Sequence, residues 1–103
     1  MAKYKIEWSH EARLDLIDIL DFFNQRNKSN TFSRKLYRKI NKSISQLINN
    51  SNLGKQTDCD SVRTLVTGDY QIIYEKIESI ILIIMIWDCH QDPQKKNIHN
   101  RIK

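Results

Sequence analysis

The residues best suited to chemistry follow the longest apolar run in the chain. Residues 80–87 are all apolar, and the polar sequence DCHQDP follows directly at residues 88–93. This segment contains His90, and an imidazole can accept or donate a proton close to neutral pH. Arg63 precedes the run, and a guanidinium can hold a phosphate through two parallel hydrogen bonds. His90 and Arg63 are therefore the candidate catalytic residues if the chain is an enzyme.

The same two residues also have purely structural interpretations. Arg63 can pair with Asp88 or Asp92 across a sheet, and His90 can lie in a surface turn. Catalysis requires a general base, a general acid and cations that stabilise the developing charge. These residue types do not supply a complete set by themselves, so both interpretations stay open.

Positive charge indicates two surfaces for an anionic partner. The net charge is +5, and residues 29–55 contain six basic side chains and no acidic one. A basic face suits nucleic acid or an acidic protein segment, although it also describes an ordinary solvated surface. The candidates for binding an acidic protein segment or another anionic partner are Arg34, Lys35, Arg38, Lys39 and Lys42. The candidates for binding a target or nucleic acid are Lys55, Tyr70, Gln91, Lys95 and Lys96, with Tyr70 or Tyr74 able to stack on a base.

Composition restricts the class of protein. The chain has 103 residues, two glycines, one proline and 40% hydrophobic residues, which is typical of one soluble domain rich in regular structure. No stretch approaches the roughly 20 apolar residues of a membrane helix, and the N-terminus lacks the apolar segment of a secretory signal. Two isolated cysteines fit a cytoplasmic protein. Neither metal nor another cofactor is expected, because the histidines and cysteines show no ligand spacing and residues 88–90 are too cramped to hold one ion.

Apolar spacing predicts the helices that position these side chains. Residues 3–8 alternate between polar and apolar, which predicts a half-buried strand. Two amphipathic helices follow, the first capped by Ser9, and the break at residues 27–30 is short enough to give an antiparallel hairpin. Their apolar stripes consist of Ala12, Leu16, Ile19, Leu20 and Phe23 on the first helix and Phe32, Leu36, Ile40, Ile44, Leu47 and Ile48 on the second.

Three closely connected strands are predicted in the second half of the chain, at about residues 62–67, 69–77 and 79–87. They follow a polar loop that ends at residue 61, and tight turns enforce antiparallel pairing between them. The run 80–87 lacks polar alternation, so its strand lies centrally with both faces covered. A short helix over residues 93–99 follows. The order β-α-α-β-β-β predicts a single α+β domain over residues 1–103, with a helical hairpin packed on one antiparallel sheet.

Three segments, in this order and spacing, make the chain similar to the RelE/ParE superfamily of type II toxin–antitoxin toxins over nearly its whole length. The first is residues 8–16, which match a strand followed by a Ser-x-x-Ala-x-x-Asp-Leu helix start. The second comprises Leu53-Gly54 together with the segments 62–65 and 68–74. The third is the apolar strand that ends in residues 88–93. The long first helix and the Asp-Pro ending resemble the ParE branch more than the RelE branch.

The resemblance implies a bacterial toxin that is produced beside an antitoxin, which wraps it in a hetero-oligomer and blocks it. In the ParE branch the toxin poisons DNA gyrase and has no known catalytic machinery. In the RelE branch it enters the ribosome and cleaves mRNA, with the RNA 2′-OH as nucleophile. Arg63 matches an arginine that the RelE branch directs at the phosphate, whereas His90 stands where many members carry an arginine.

The ParE-like interpretation predicts growth inhibition by binding an essential target such as DNA gyrase. The first alternative is a ribosome-dependent mRNA endoribonuclease. A non-toxic nucleic-acid-binding module is the second, although two consecutive helices fit neither a double-stranded-RNA domain nor an RNA-recognition fold.

Overall fold

Two helices pack on one face of a five-stranded sheet in the computed structural model, which describes residues 4–59 and 61–88. The strands are β1 (Lys5–Trp8), β2 (Lys55–Gln56), β3 (Val62–Thr67), β4 (Tyr70–Ile77) and β5 (Ile80–Asp88). The helices are α1 (His10–Asn27) and α2 (Thr31–Ser45), and a 3-10 turn at Gln46–Ile48 follows α2. The predicted site residues His90, Gln91, Lys95 and Lys96, and the helix predicted over 93–99, lie outside the described residues.

The residues that begin α1 also fix it to the sheet. The Ser9 hydroxyl accepts a hydrogen bond from the Ala12 amide at 3.0 Å, as expected of an N-cap residue. The Ser9 amide donates to the Ile83 carbonyl at 2.9 Å, which continues the hydrogen bonding between β1 and β5. Ala12 is fully buried, so α1 can lie close to the strands beneath it. The capped helix therefore starts directly over β5.

Asp15 completes the hydrogen bonding of β5 beyond the end of β1. The pairing of β1 with β5 stops where Trp8 lies opposite Ile83. Past that point, an Asp15 carboxylate oxygen accepts a hydrogen bond from the Ile86 amide at 3.1 Å. A backbone donor at an unpaired strand edge needs such a partner when it is withdrawn from water. A side chain from α1 thus replaces the missing strand.

The sheet order is β1-β5-β4-β3-β2, and one of its pairs differs from the prediction. The pairs β2–β3, β3–β4 and β4–β5 are antiparallel, whereas β1 and β5 are parallel, so the sheet is mixed. Tight turns impose antiparallel pairing only on strands that they connect directly, and β1 is separated from β5 by all the other elements. The polar loop predicted to run to residue 61 also contains β2, which is too short to show a pattern.

β5 lies inside the sheet with apolar clusters on both of its faces, as predicted. Ile81, Ile83 and Ile86 belong to the cluster beneath the helices. On the opposite face, Ile84 and Met85 join a second cluster with the other buried residues Val62, Ile73 and Trp87. Ile73 pairs with Met85 while Tyr74 pairs with Ile83, so Ile84 is an extra residue that forms a β-bulge. The bulge shifts by one residue the alternation of side chains between the two faces of the sheet. Because every residue here is apolar, the sequence does not show that shift.

The helical stripes agree with the predicted core. All five residues of the α1 stripe belong to, or pack against, the main cluster, as do four of the second stripe: Leu36, Ile40, Ile44 and Leu47. Phe32 and Ile48 are the two exceptions: Ile48 is half-buried outside that cluster, and Phe32 is 45% exposed and packs its ring against Phe23 at 4.6 Å between centroids. Asn30 is the N-cap residue of α2 but makes no side-chain capping hydrogen bond, and the Ser29 hydroxyl instead accepts from the Thr31 amide at 3.2 Å.

The role of Asp15 predicts a stability difference between two neighbouring carboxylates. Replacing Asp15 with Ala leaves the Ile86 amide without its partner, so the free energy of unfolding should fall by about 1–3 kcal/mol. Asp18 is exposed on the same helix, and Asp18→Ala should change stability by less than about 0.5 kcal/mol. Urea denaturation of both variants measures the difference, and equal effects would contradict the capping role of Asp15.

Candidate functional site

Arg63 braces the loop between the helices and the sheet. One of its terminal nitrogens donates to the Gly54 carbonyl at 2.7 Å and to the Asn52 carbonyl at 3.4 Å. The Tyr74 hydroxyl donates to the Ser51 carbonyl at 2.8 Å and accepts from the Gly54 amide at 3.0 Å. Two side chains from adjacent strands therefore hold this loop by its backbone.

Gly54 is required where this loop meets the sheet. A Cβ at that position would lie 2.8 Å from the Thr64 carbonyl oxygen and 2.8 Å from the Tyr74 hydroxyl. Both distances are shorter than carbon–oxygen contact, and neither neighbour can withdraw without losing its own hydrogen bonds. The Leu53-Gly54 segment noted in the sequence thus has a physical explanation in close backbone approach.

Arg63 lies far from the described end of β5, and His90 itself lies outside the described residues. Asp88, the last described residue before His90, lies opposite Tyr70, which in turn lies opposite Thr67. Arg63 is four residues along the same strand from Thr67, about 13 Å at roughly 3.3 Å per residue. Two strand spacings add about 10 Å sideways, so the backbone separation between Arg63 and Asp88 is about 16 Å. This spacing also excludes the direct Arg63–Asp88 ion pair considered from the sequence.

Of the predicted target-binding residues, Lys55 and Tyr70 lie within the described chain. Lys55 is exposed on the edge strand β2, opposite Thr64. Tyr70 is only 7% exposed in the main cluster, which leaves too little ring surface for a nucleotide base to stack on. Tyr74 is fully buried, so its alternative interpretation as a core residue is confirmed.

Two cavities meet at the end of the hairpin, on either side of Phe23 and Tyr70. The first has a volume of about 420 Å³ and is lined by the carboxylates Asp15, Asp18 and Asp88 and by the aromatic rings of Phe22, Phe23, Tyr70 and Trp87. The second, of about 310 Å³, lies between α2 and the β3–β4 turn and carries Lys35 and Lys39. The first cavity thus carries three carboxylates and the second carries two lysines beside Asp69, with Phe23 and Tyr70 between the cavities.

These features coincide with a match to a known family. The family model described as the ParE toxin of the type II toxin–antitoxin system, parDE, matches residues 6–93. The chain belongs to the ParE toxin family. Among solved structures, a chain of the chromosomal ParDE toxin–antitoxin system from P. aeruginosa is similar in fold, with a TM-score of 0.73 and 20% sequence identity. The match covers 85% of this chain and 98% of that one. No curated protein matches the sequence.

The motifs that resemble the family have structural roles in this ParE-family chain. Ser9, Ala12 and Asp15 start α1 and attach it to β5. Gly54 and Tyr74 close the loop that Arg63 braces. Within the described part of the chain, these motif residues therefore specify the scaffold.

The basic face of α2 is exposed as the periodicity predicts. All five of its candidate partner-binding residues are accessible: Arg34, Lys35, Arg38, Lys39 and Lys42. Lys35 and Lys39 line the second cavity. Sequence reasoning missed Phe22, which is 57% exposed in the first cavity, and Thr67 in the second. Phe22 could have been found from the sequence, because it is a phenylalanine that falls outside the apolar arc of α1. Nothing in the sequence pointed to Thr67.

Neither a metal centre nor a membrane span is found in the part of the chain that the structure describes. Residues 4–59 and 61–88 contain no group of three or more His, Cys, Asp or Glu side chains arranged to hold an ion. Within the same residues, no helix is long and apolar enough to cross a bilayer.

The bridging hydroxyl of Tyr74 predicts a stability loss on its removal. Tyr74→Phe keeps the ring but leaves the Gly54 amide and the Ser51 carbonyl without this partner, so stability should fall by about 1–3 kcal/mol. Tyr37 is 45% exposed, and Tyr37→Phe is the matched control with an expected change below about 0.5 kcal/mol. Urea denaturation followed by circular dichroism compares the two, and similar losses would contradict the bridge.

The buried tyrosines predict a loss of stability at alkaline pH. Burial, followed by the charges of Asp88 and Asp69, raises the pKa of Tyr70 from 10.0 to about 12. Between about pH 10 and pH 12 the folded chain therefore holds the Tyr70 proton, whereas the unfolded chain has released it. The contribution of Tyr70 to the free energy of unfolding is thus complete below about pH 10 and is lost as the pH rises towards 12. The urea midpoint should fall over that interval, and less steeply in Tyr70→Phe than in Tyr37→Phe. Parallel slopes in the two variants would contradict the prediction.

Proposed function

We propose that this ParE-family chain arrests bacterial growth by binding DNA gyrase, and that a cognate antitoxin neutralises it in a cytoplasmic hetero-oligomer. Family membership supports the toxin class. The similar solved structure is that of a ParDE toxin–antitoxin system, which supports an antitoxin as the partner. Binding, without cleavage of the target, is the mode of action that fits the geometry of Arg63.

The contacts of the Arg63 guanidinium are the observation that supports binding over RNA cleavage. A ribosome-dependent nuclease needs an arginine directed at the scissile phosphate, close to groups that transfer protons. Here the guanidinium donates to two loop carbonyls at 2.7 and 3.4 Å. The neighbouring phenol of Tyr74 is fully buried and its oxygen both donates and accepts a hydrogen bond. Both groups thus contribute to stability, and one terminal nitrogen of Arg63 is committed to the backbone of the loop.

The target assay separates the gyrase mechanism from its main alternative. The purified chain is added to DNA gyrase in a supercoiling assay and, in parallel, to mRNA on translating ribosomes. Inhibited supercoiling with intact mRNA is the expected result. Cleavage of mRNA with unaffected supercoiling would reject the gyrase mechanism and support the endoribonuclease.

Two variants test the role of Arg63 and His90 in that activity. Arg63→Lys should lower thermal stability, because a lysine cannot reproduce the contact of the planar guanidinium with both carbonyls, yet folded protein should inhibit gyrase within about twofold of the parent. His90→Ala should also stay within about twofold. A loss of about 100-fold or more at unchanged folding is the size expected for a proton-transferring residue and would contradict binding alone.

Neutralisation is tested by co-expression. The product of an adjoining reading frame that encodes a small acidic protein should restore growth and co-purify with the chain. Continued growth arrest in the presence of that product would contradict its assignment as the antitoxin.

A further inference from the structure

Thr67 contains a buried hydroxyl that has no hydrogen-bond partner among residues 4–59 and 61–88. The residue is only 6% exposed and lies at the end of β3, beside the cavity between α2 and the β3–β4 turn. Buried hydroxyls in folded proteins are almost always bonded, because an unmade hydrogen bond destabilises the folded state. Because Thr67 lines a cavity, a ligand bound there can supply the partner that the described residues do not.

The cavity beside Thr67 places positive charge at this hydroxyl. Lys35 and Lys39 project from α2, and Gly68 and Asp69 form the turn on the opposite side. The Lys39 ammonium lies so close to the turn that a Cβ at Gly68 would be 3.1 Å from it. Gly68 also has a φ of 58°, which favours glycine. The absence of a side chain at residue 68 therefore leaves room for a cationic head group next to the buried hydroxyl.

The remaining walls of the cavity are apolar. They consist of Phe23, Phe32 and Leu36, together with the ring of Tyr70. Phe23 and Phe32 pack against each other at 4.6 Å between centroids with a tilt of 56°, so each ring has one side occupied by the other. A ligand that fits these walls has an apolar stem, and the polar end of the cavity requires that the stem end in a hydrogen-bond acceptor with negative charge.

A carboxylate on a short aliphatic stem meets these requirements better than a phosphate. A carboxylate oxygen can accept from the Thr67 hydroxyl while the two ammonium groups neutralise its single charge. The Asp69 carboxylate at the mouth of the cavity repels a dianion more strongly than a monoanion. The volume of about 310 Å³ is at the small end of known ligand sites, which suits one side chain of a peptide.

We infer that this cavity binds an aspartate or glutamate side chain of the antitoxin, an assignment of the occupant that rests on the proposed function. An acidic segment can lie along the exposed basic face of α2, with Lys35 and Lys39 at the point where one of its carboxylates enters. Arg34, Arg38 and Lys42 then attract the segment from outside the cavity. The site thus adds a specific anchor to a general electrostatic attraction.

The first test uses the free chain and a small probe. Sodium hexanoate has an aliphatic stem and one carboxylate, and hexanamide is the matched neutral control. Nuclear magnetic resonance should show saturable shifts of the Thr67, Gly68 and Asp69 amides with hexanoate, and shifts at least about tenfold weaker at equal concentration with hexanamide. Equal responses to the two compounds, or none, would overturn the carboxylate site.

The second test uses a variant with opposite effects on stability and binding. Thr67→Val removes an unbonded hydroxyl without changing the shape of the side chain, so the melting temperature of the free chain should rise. The same variant should bind the antitoxin about tenfold more weakly, because a hydrogen bond to a charged group is lost. Lys39→Gln should weaken binding by a similar factor, whereas Arg26→Gln, at an exposed position of α1 outside the cavity, serves as the control with an effect below about threefold.

The two tests also separate this inference from the proposed function. If Thr67→Val and Lys39→Gln bind the antitoxin as tightly as the parent does, the cavity is not the anchor, even though growth arrest and neutralisation persist. If hexanoate binds and both variants lose antitoxin affinity while gyrase is unaffected, the inference stands and the gyrase mechanism fails. A concentration-dependent dimer that both variants abolish would assign the cavity to a second copy and overturn the antitoxin as occupant.

Discussion

A strand that is apolar on both faces requires cover above and below and a hydrogen-bonding partner along each edge, and β5 imposes this requirement on the molecule. β4 pairs with one edge through a tight turn, and β1 reaches the other from the far end of the chain. Because β1 is short, α1 contributes Asp15 where that strand stops. The parallel pair, the position of α1 and the cap at Ser9 are thus consequences of burying one apolar segment.

The same constraint determines where binding groups can lie. Burial of β5 on both faces leaves the sheet interior to packing, so charged and partly exposed groups collect at the strand ends and on the outer helix face. Phe23 and Tyr70 stand at that boundary, where the main cluster ends and the two cavities begin. Three carboxylates lie on one side of these rings, and two lysines with Asp69 lie on the other. A partner segment that carries positive and negative side chains can therefore be bound preferentially in one orientation.

Much of the fold could be predicted from the sequence because its elements have clear periods. The stripes of α1 and α2, the capping role of Ser9 and the three consecutive strands all follow from local patterns. The parallel pairing of β1 could not be predicted, because long-range pairing depends on the cover that β5 needs and not on residues within β1. The bulge at Ile84 was equally hidden, since a shift in alternation leaves no trace in an all-apolar segment.

The candidate site was less predictable than the fold, for a physical reason that Arg63 illustrates. A guanidinium is suited both to phosphate and to backbone carbonyls, and only the position of the loop at Gly54 decides between these uses. Thr67 illustrates the converse, because its significance is an unmade hydrogen bond, which depends on everything around it and on no local pattern. Motif residues such as Gly54 and Tyr74 thus hold the scaffold together. The environments of Lys39 and Thr67, from which we infer that a partner binds, arise only after the chain has folded.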